Sequence, residues 1–129
     1  MDIKSIRIGN ILQGGVRTNT PARVIEIKEE KVIAKTENNI LFEQVSPYPL
    51  TEDYLRKIGF TQSGNNLLRI YKKACIRIEV QEVTRKTAQK EVTQFTIKLE
   101  DSSRWKKIIF GIHELQNYYY DHTGQEVDQ

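Results

Sequence analysis

Two five-residue stretches restrict the fold more than any other part of the chain. Ile76-Arg77-Ile78-Glu79-Val80 and Phe95-Thr96-Ile97-Lys98-Leu99 alternate apolar and polar residues without a break. Successive side chains of a strand point to opposite faces, so a period of two marks a strand with one face buried. The pattern predicts Ile76, Ile78 and Val80 inward on one strand, and Phe95, Ile97 and Leu99 inward on the other. A sheet built on them has one dry face, and that face needs a cover.

The end of the chain supplies one. Ile112, Leu115 and Tyr119 recur at helical spacing ahead of Gly124. This predicts a helix over 112–123 that stops where glycine can take the left-handed conformation. A shorter helix is predicted over 52–58. Thr51 can cap its free N–H groups, Glu52 and Asp53 sit at the positive end of its dipole, and Leu50 and Leu55 occupy the positions of a hydrophobic staple. Gly59 ends it.

The rest reads as strands. Residues 7–13, 23–27, 31–36 and 40–45 are short runs separated by turn signals at Gly14-Gly15, Glu29-Glu30 and Asn38-Asn39. Four such strands suggest a small curled sheet or SH3-like β-barrel over residues 1–46. Pro47 and Pro49 break the pattern and mark a boundary, because proline lacks an N–H and restricts the residue before it. Residues 47–129 then hold the short helix, an antiparallel β-meander (67–72, 74–80, 92–100 and 104–110) and the C-terminal helix. Residues 82–90 read as a long polar hairpin tip or loop, and 125–129 as a frayed tail. The expected class is α+β, in 129 residues that suffice for one compact domain or two small units sharing a core.

Function is less legible. The net charge of +3 is uneven: residues 1–46 carry 7 basic and 6 acidic groups, residues 47–91 carry 9 and 5, and residues 92–129 carry 4 and 6. The basic middle makes nucleic acid a candidate partner. Arg85, Lys86 and Lys90 at the hairpin tip could neutralise phosphates, and Trp105 among Arg104, Lys106 and Lys107 could stack a base. The competing readings are a solvated hairpin end and an indole that covers the edge of the core. The closing helix offers a different surface. His113, Gln116, Asn117 and Tyr120 fall on one polar face and carry donors and acceptors for a polar ligand or a protein partner. The imidazole of His113 could act as an acid or base near neutrality, yet no second catalytic group can be paired with it.

Other chemistries lack their residues. Two histidines and one cysteine at unsuitable spacings do not make a metal site, and Cys75 has no constellation for nucleophilic catalysis. No phosphate-cradling glycine loop precedes a helix. A lone cysteine, the lack of a leader-like N-terminus and the lack of a long apolar run lead to the expectation of a cytoplasmic protein with no membrane partner. The expectation for function is a non-enzymatic binding protein without a cofactor. A nucleic-acid accessory protein is the alternative, and an oligomer that sequesters a nucleotide signal is a third reading.

Three motifs carry a resemblance. They are Ile6-Arg7-Ile8-Gly9-Asn10, Pro49-Leu50-Thr51-Glu52-Asp53-Tyr54-Leu55-Arg56-Lys57-Ile58-Gly59-Phe60, and His113-Glu114-Leu115-Gln116-Asn117-Tyr118-Tyr119 with Thr123-Gly124-Gln125-Glu126. In these motifs and in the order of its elements the chain resembles a group of small uncharacterised proteins encoded in prophages and other mobile elements of Bacteroides-type bacteria. The leucine usual there after the Gln-Asn pair is Tyr118 here. The resemblance implies a phage or mobile-element context and no particular activity.

Overall fold

A computed structural model describes residues 5–15, 20–29, 31–85, 90–101 and 106–128. The elements are β1 (Ile11–Gly14), β2 (Pro21–Lys28), β3 (Lys31–Lys35), β4 (Leu41–Phe42), β5 (Val45–Pro47), α1 (Glu52–Lys57), β6 (Thr61–Gly64), β7 (Arg69–Lys73), β8 (Ile76–Arg85), β9 (Lys90–Leu99), β10 (Lys107–Ile109) and α2 (Ile112–Thr123). They make an α+β fold with two antiparallel five-stranded sheets, ordered β4-β3-β2-β1-β5 and β10-β9-β8-β7-β6.

The first sheet curls strongly. A Cβ added at Gly14 would lie 2.4 Å from Cδ2 of Phe42, so the β4 ring rests on the β1 backbone although two strands separate them in the ladder order. Among the described residues no ladder joins β4 to β5, and no closed barrel is found. The expected strand over 7–13 starts only at Ile11, because residues 7–10 form a turn. Asn10 Oδ1 accepts from Arg7 N at 2.7 Å, Asn10 N donates to Arg7 O at 3.1 Å, and Gly9 sits at φ 95°. The expected strand over 40–45 is two strands, of which β4 pairs with β3 and β5 with β1. β5 runs through Pro47, one residue past the expected boundary, which proline tolerates on an edge strand. Asn39, at φ 64°, provides the positive φ of the β3–β4 turn.

The second sheet holds the larger core. Ile76, Ile78, Val80 and Ile97 are fully buried, as their alternation requires, and α2 covers them with Ile112, Leu115 and Tyr119. Each such side chain contributes about 1.5–3 kcal/mol relative to exposure. α1 adds Leu55, the residues flanking the helix add Leu50 and Phe60, and the Thr51 hydroxyl accepts from Tyr54 N at 3.2 Å as a cap should. Ile6, Leu12, Val24 and Val32 form a smaller core under the first sheet, and Ile11 packs against the larger one. Segment 47–50 ties the halves together: Ile112 N donates to Tyr48 O and Leu50 N to Phe110 O, each at 2.9 Å.

Three expectations change. Residues 82–85 and 90 are strand, since β8 and β9 pair rung for rung from Ile76↔Leu99 to Arg85↔Lys90. β6 was not expected: all four of its residues are exposed, so only its backbone pairing with β7 defines it. The tail is anchored through Asp128. Val127 is fully buried in the larger core, and Asp128 pairs with Arg23 at 3.1 Å.

Candidate functional site

The polar face of α2 docks onto the first sheet. The turn at residues 7–10 presents the Gly9 carbonyl, the Asn10 amide and the Ile11 N–H to the helix. Gln116, fully buried, answers all three. Its Oε1 accepts from Ile11 N at 2.7 Å and from Asn10 Nδ2 at 3.4 Å, and its Nε2 donates to Gly9 O at 3.3 Å. Asn117 Oδ1 accepts from Asn10 Nδ2 at 2.9 Å and from Arg7 Nε at 3.1 Å, and Asn117 Nδ2 donates to Ser5 O. Arg7 completes the seam. It pairs with Glu126 at 2.7 Å, donates to Gln116 O at 3.3 Å, and stacks its guanidinium 4.4 Å from the centre of the Tyr120 ring.

Of the four residues expected to form a binding face, Gln116, Asn117 and Tyr120 are thus engaged by the N-terminal segment. Their partners Arg7 and Asn10, and Glu126, which holds Arg7, could not be found by helical spacing. The only hint in the sequence was that they fall in the first and last motifs, which the fold brings into contact.

His113 has a different setting. It is buried beneath Gly111 and Pro47, and a Cβ added at Gly111 would stand 2.8 Å from its Nδ1. That Nδ1 has no hydrogen-bond partner among the described residues. Glu114 caps the helix, accepting from Gly111 N at 3.1 Å. Burial holds the imidazole below its ordinary value of 6.5. The Lys107 ammonium pushes the same way, and Glu114 opposes both. His113 lies in the wall of a groove of about 680 Å³ that is also lined by Lys107, Glu114, Asn117, Tyr118 and Asp121. The volume is within the range of small-molecule sites, about 300–1,000 Å³. A neutral imidazole, an ammonium group and an amide on one groove can orient a polar ligand.

Arg85 and Lys90 close the β8–β9 hairpin as its last described rung. Lys86, Arg104 and Trp105 lie outside the described residues. Lys106 pairs with Glu79 at 3.4 Å, and Lys107 lies in the groove with His113. Cys75 is exposed in the β7–β8 turn. Among the described residues no cluster of histidine, cysteine and carboxylates could hold a metal, and no helix is long and apolar enough to cross a membrane. Compared with family models, with curated proteins and with solved structures, the chain matches none.

Proposed function

We propose that the chain is a non-enzymatic binding protein whose ligand seat is the groove shared by His113 and Lys107. One observation carries this reading. The groove borders the seam between α2 and the first sheet, and it has a buried imidazole held below its ordinary 6.5 together with an ammonium group without a carboxylate partner among the described residues. Preorganised polar groups favour binding, because little has to be ordered when the ligand arrives. The ligand is small and polar, or is the polar end of a partner protein. Native mass spectrometry of protein purified from cells tests this directly. A retained species is expected on the wild type and is lost from the His113→Gln, Lys107→Glu double variant. Turnover of nucleotides or esters that disappears with His113→Ala would sink the non-enzymatic reading.

The three motifs support a phage or mobile-element origin. The order β4-β3-β2-β1-β5, with β5 returning to β1, supports an SH3-like reading of the first sheet.

A second reading, a nucleic-acid accessory protein, rests on the β8–β9 hairpin. Pairing of β8 with β7 ends at Val80, and pairing of β9 with β10 ends at Phe95, its partner rung. Beyond that rung, among the described residues, 81–85 and 90–94 pair only with each other. They form a two-stranded arm of roughly 15 Å at about 3.3 Å per residue, and its sequence carries Arg85, Lys86 and Lys90 at the end. Such a ribbon fits a nucleic-acid groove. DNA or RNA binding that weakens steeply with salt is the expected result. No gel shift at low salt removes this reading.

A further inference from the structure

A second cleft opens at another junction of the two halves, where β2 and β3 meet α1 and the start of α2. It has a volume of about 300 Å³. Arg23, Lys35 and Lys57 bring three cations to it, against the single carboxylate of Glu37. Arg23 is already committed: it donates to Gly9 O at 2.9 Å and to Asp128 at 3.1 Å. Lys35 and Lys57 have no carboxylate partner among the described residues.

Tyr54 lines the same cleft, and its hydroxyl is buried without a hydrogen-bond partner among the described residues. A buried donor left unmade costs about 1–3 kcal/mol, so a fold keeps one where something else satisfies it. Burial, and then the nearby Asp128, push this hydroxyl up to about 12 against the opposing pull of Arg23. It is therefore a donor throughout the physiological range and needs an acceptor. Two free ammonium groups and one obligate donor suit a dianionic oxyanion. The remaining wall is apolar and aromatic, with Ile11, Tyr48 and Ile112. The volume far exceeds the roughly 30 Å³ of a water and lies at the lower limit of organic ligand sites.

We propose that this cleft binds a small phosphate monoester. The phosphoryl oxygens meet Lys35, Lys57 and the Tyr54 hydroxyl, and the organic part lies against Tyr48 and Ile112. The site is separate from the His113 groove and does not depend on the reading given to that groove.

Calorimetric titration of the full chain with adenosine monophosphate, inorganic phosphate and adenosine tests it. The monophosphate is expected to bind with a Kd of about 0.1–1 mM, more tightly than inorganic phosphate, and adenosine is not expected to bind. The Lys35→Glu, Lys57→Glu double variant loses binding by at least about tenfold. Tyr54→Phe weakens binding several-fold and leaves the melting temperature unchanged or raised, since it removes an unsatisfied buried hydroxyl; a structural hydroxyl would instead lower it. Failure of the monophosphate to bind at about ten times that Kd, binding no tighter than that of inorganic phosphate, or equal binding to the double variant overturns the proposal.

Discussion

Gln116 meets three needs of a segment that lies more than a hundred residues earlier in the chain, and its removal is correspondingly costly. Gln116→Leu keeps the volume but leaves the Ile11 N–H and the Asn10 amide without this acceptor in a buried site. A loss of about 2–4 kcal/mol in urea unfolding is expected. Tyr120→Ala, at a ring that is 41% exposed, should cost far less. His113 makes a prediction in pH. Its folded value lies below the ordinary 6.5, chiefly through burial. As pH falls through about 6.5 the unfolded chain takes up a proton that the folded chain refuses, so stability drops from there toward the folded value. Unfolding free energies measured between pH 7.5 and 5.5 should therefore decline in the wild type and flatten in His113→Gln. Equal slopes in the two proteins would show that the imidazole is not held neutral. The carboxylates of Glu82 and Glu100 are lowered below 4.5 by their bonds to Arg69 and Lys72, so they act only at lower pH and do not enter this window.

Among the elements, the β8–β9 arm is the part of the second sheet that the core does not need. Its rungs lie beyond Val80↔Phe95, and its side chains at residues 81–84 and 91–94 are exposed or half-buried. Replacing residues 83–92 by Asn-Gly joins Glu82 to Thr93 with a tight hairpin turn. The expected cost is no more than about 1–2 kcal/mol, the sum of a few cross-strand pairs, read as an unchanged far-ultraviolet spectrum and a modest shift in melting. Unfolding of this variant at room temperature would mean that the arm is part of the core. The same arm shows where sequence reading ends. Alternation at Ile76, Ile78 and Val80 and at Phe95 and Ile97 made the buried halves of these strands legible, and helical spacing did the same for Ile112, Leu115 and Tyr119. Both signals report burial. The outer half of β8, the first residues of β9 ahead of Val92, and all of β6 bury little or are held by backbone pairing, so they left no period to read. The tail failed for a related reason: Val127 is one apolar residue among polar ones, and a single residue has no period. Gln116 and Asn117 were legible as a polar face. Their inward orientation was not, because their partners at residues 5–11 are distant in sequence.

For the whole molecule, the question is whether two sheets with separate cores unfold as one. The smaller core of Ile6, Leu12, Val24 and Val32 is too slight to hold the first sheet alone, since small cores bury too little to offset chain entropy. What joins it to the second sheet is the seam of Arg7, Asn10, Gln116, Asn117 and Glu126, helped by Ile11 and segment 47–50. If the seam couples them, amides of β1–β3 and of β8–β9 should exchange with solvent at the same global free energy in the wild type. In the Arg7→Ala, Asn117→Ala variant the β1–β3 amides should lose protection while those of β8 and β9, held under α2 by Leu115 and Ile97, keep theirs. The Arg7–Glu126 ion pair will be the smaller part of the effect. Both side chains are 28% exposed, and partly solvated pairs contribute about 1 kcal/mol or less. The amide bonds of Asn117 and of the fully buried Gln116 should carry more. A variant in which both sheets lose protection together would place the coupling in the shared apolar contacts of Ile11 and Leu50 instead of in the polar seam.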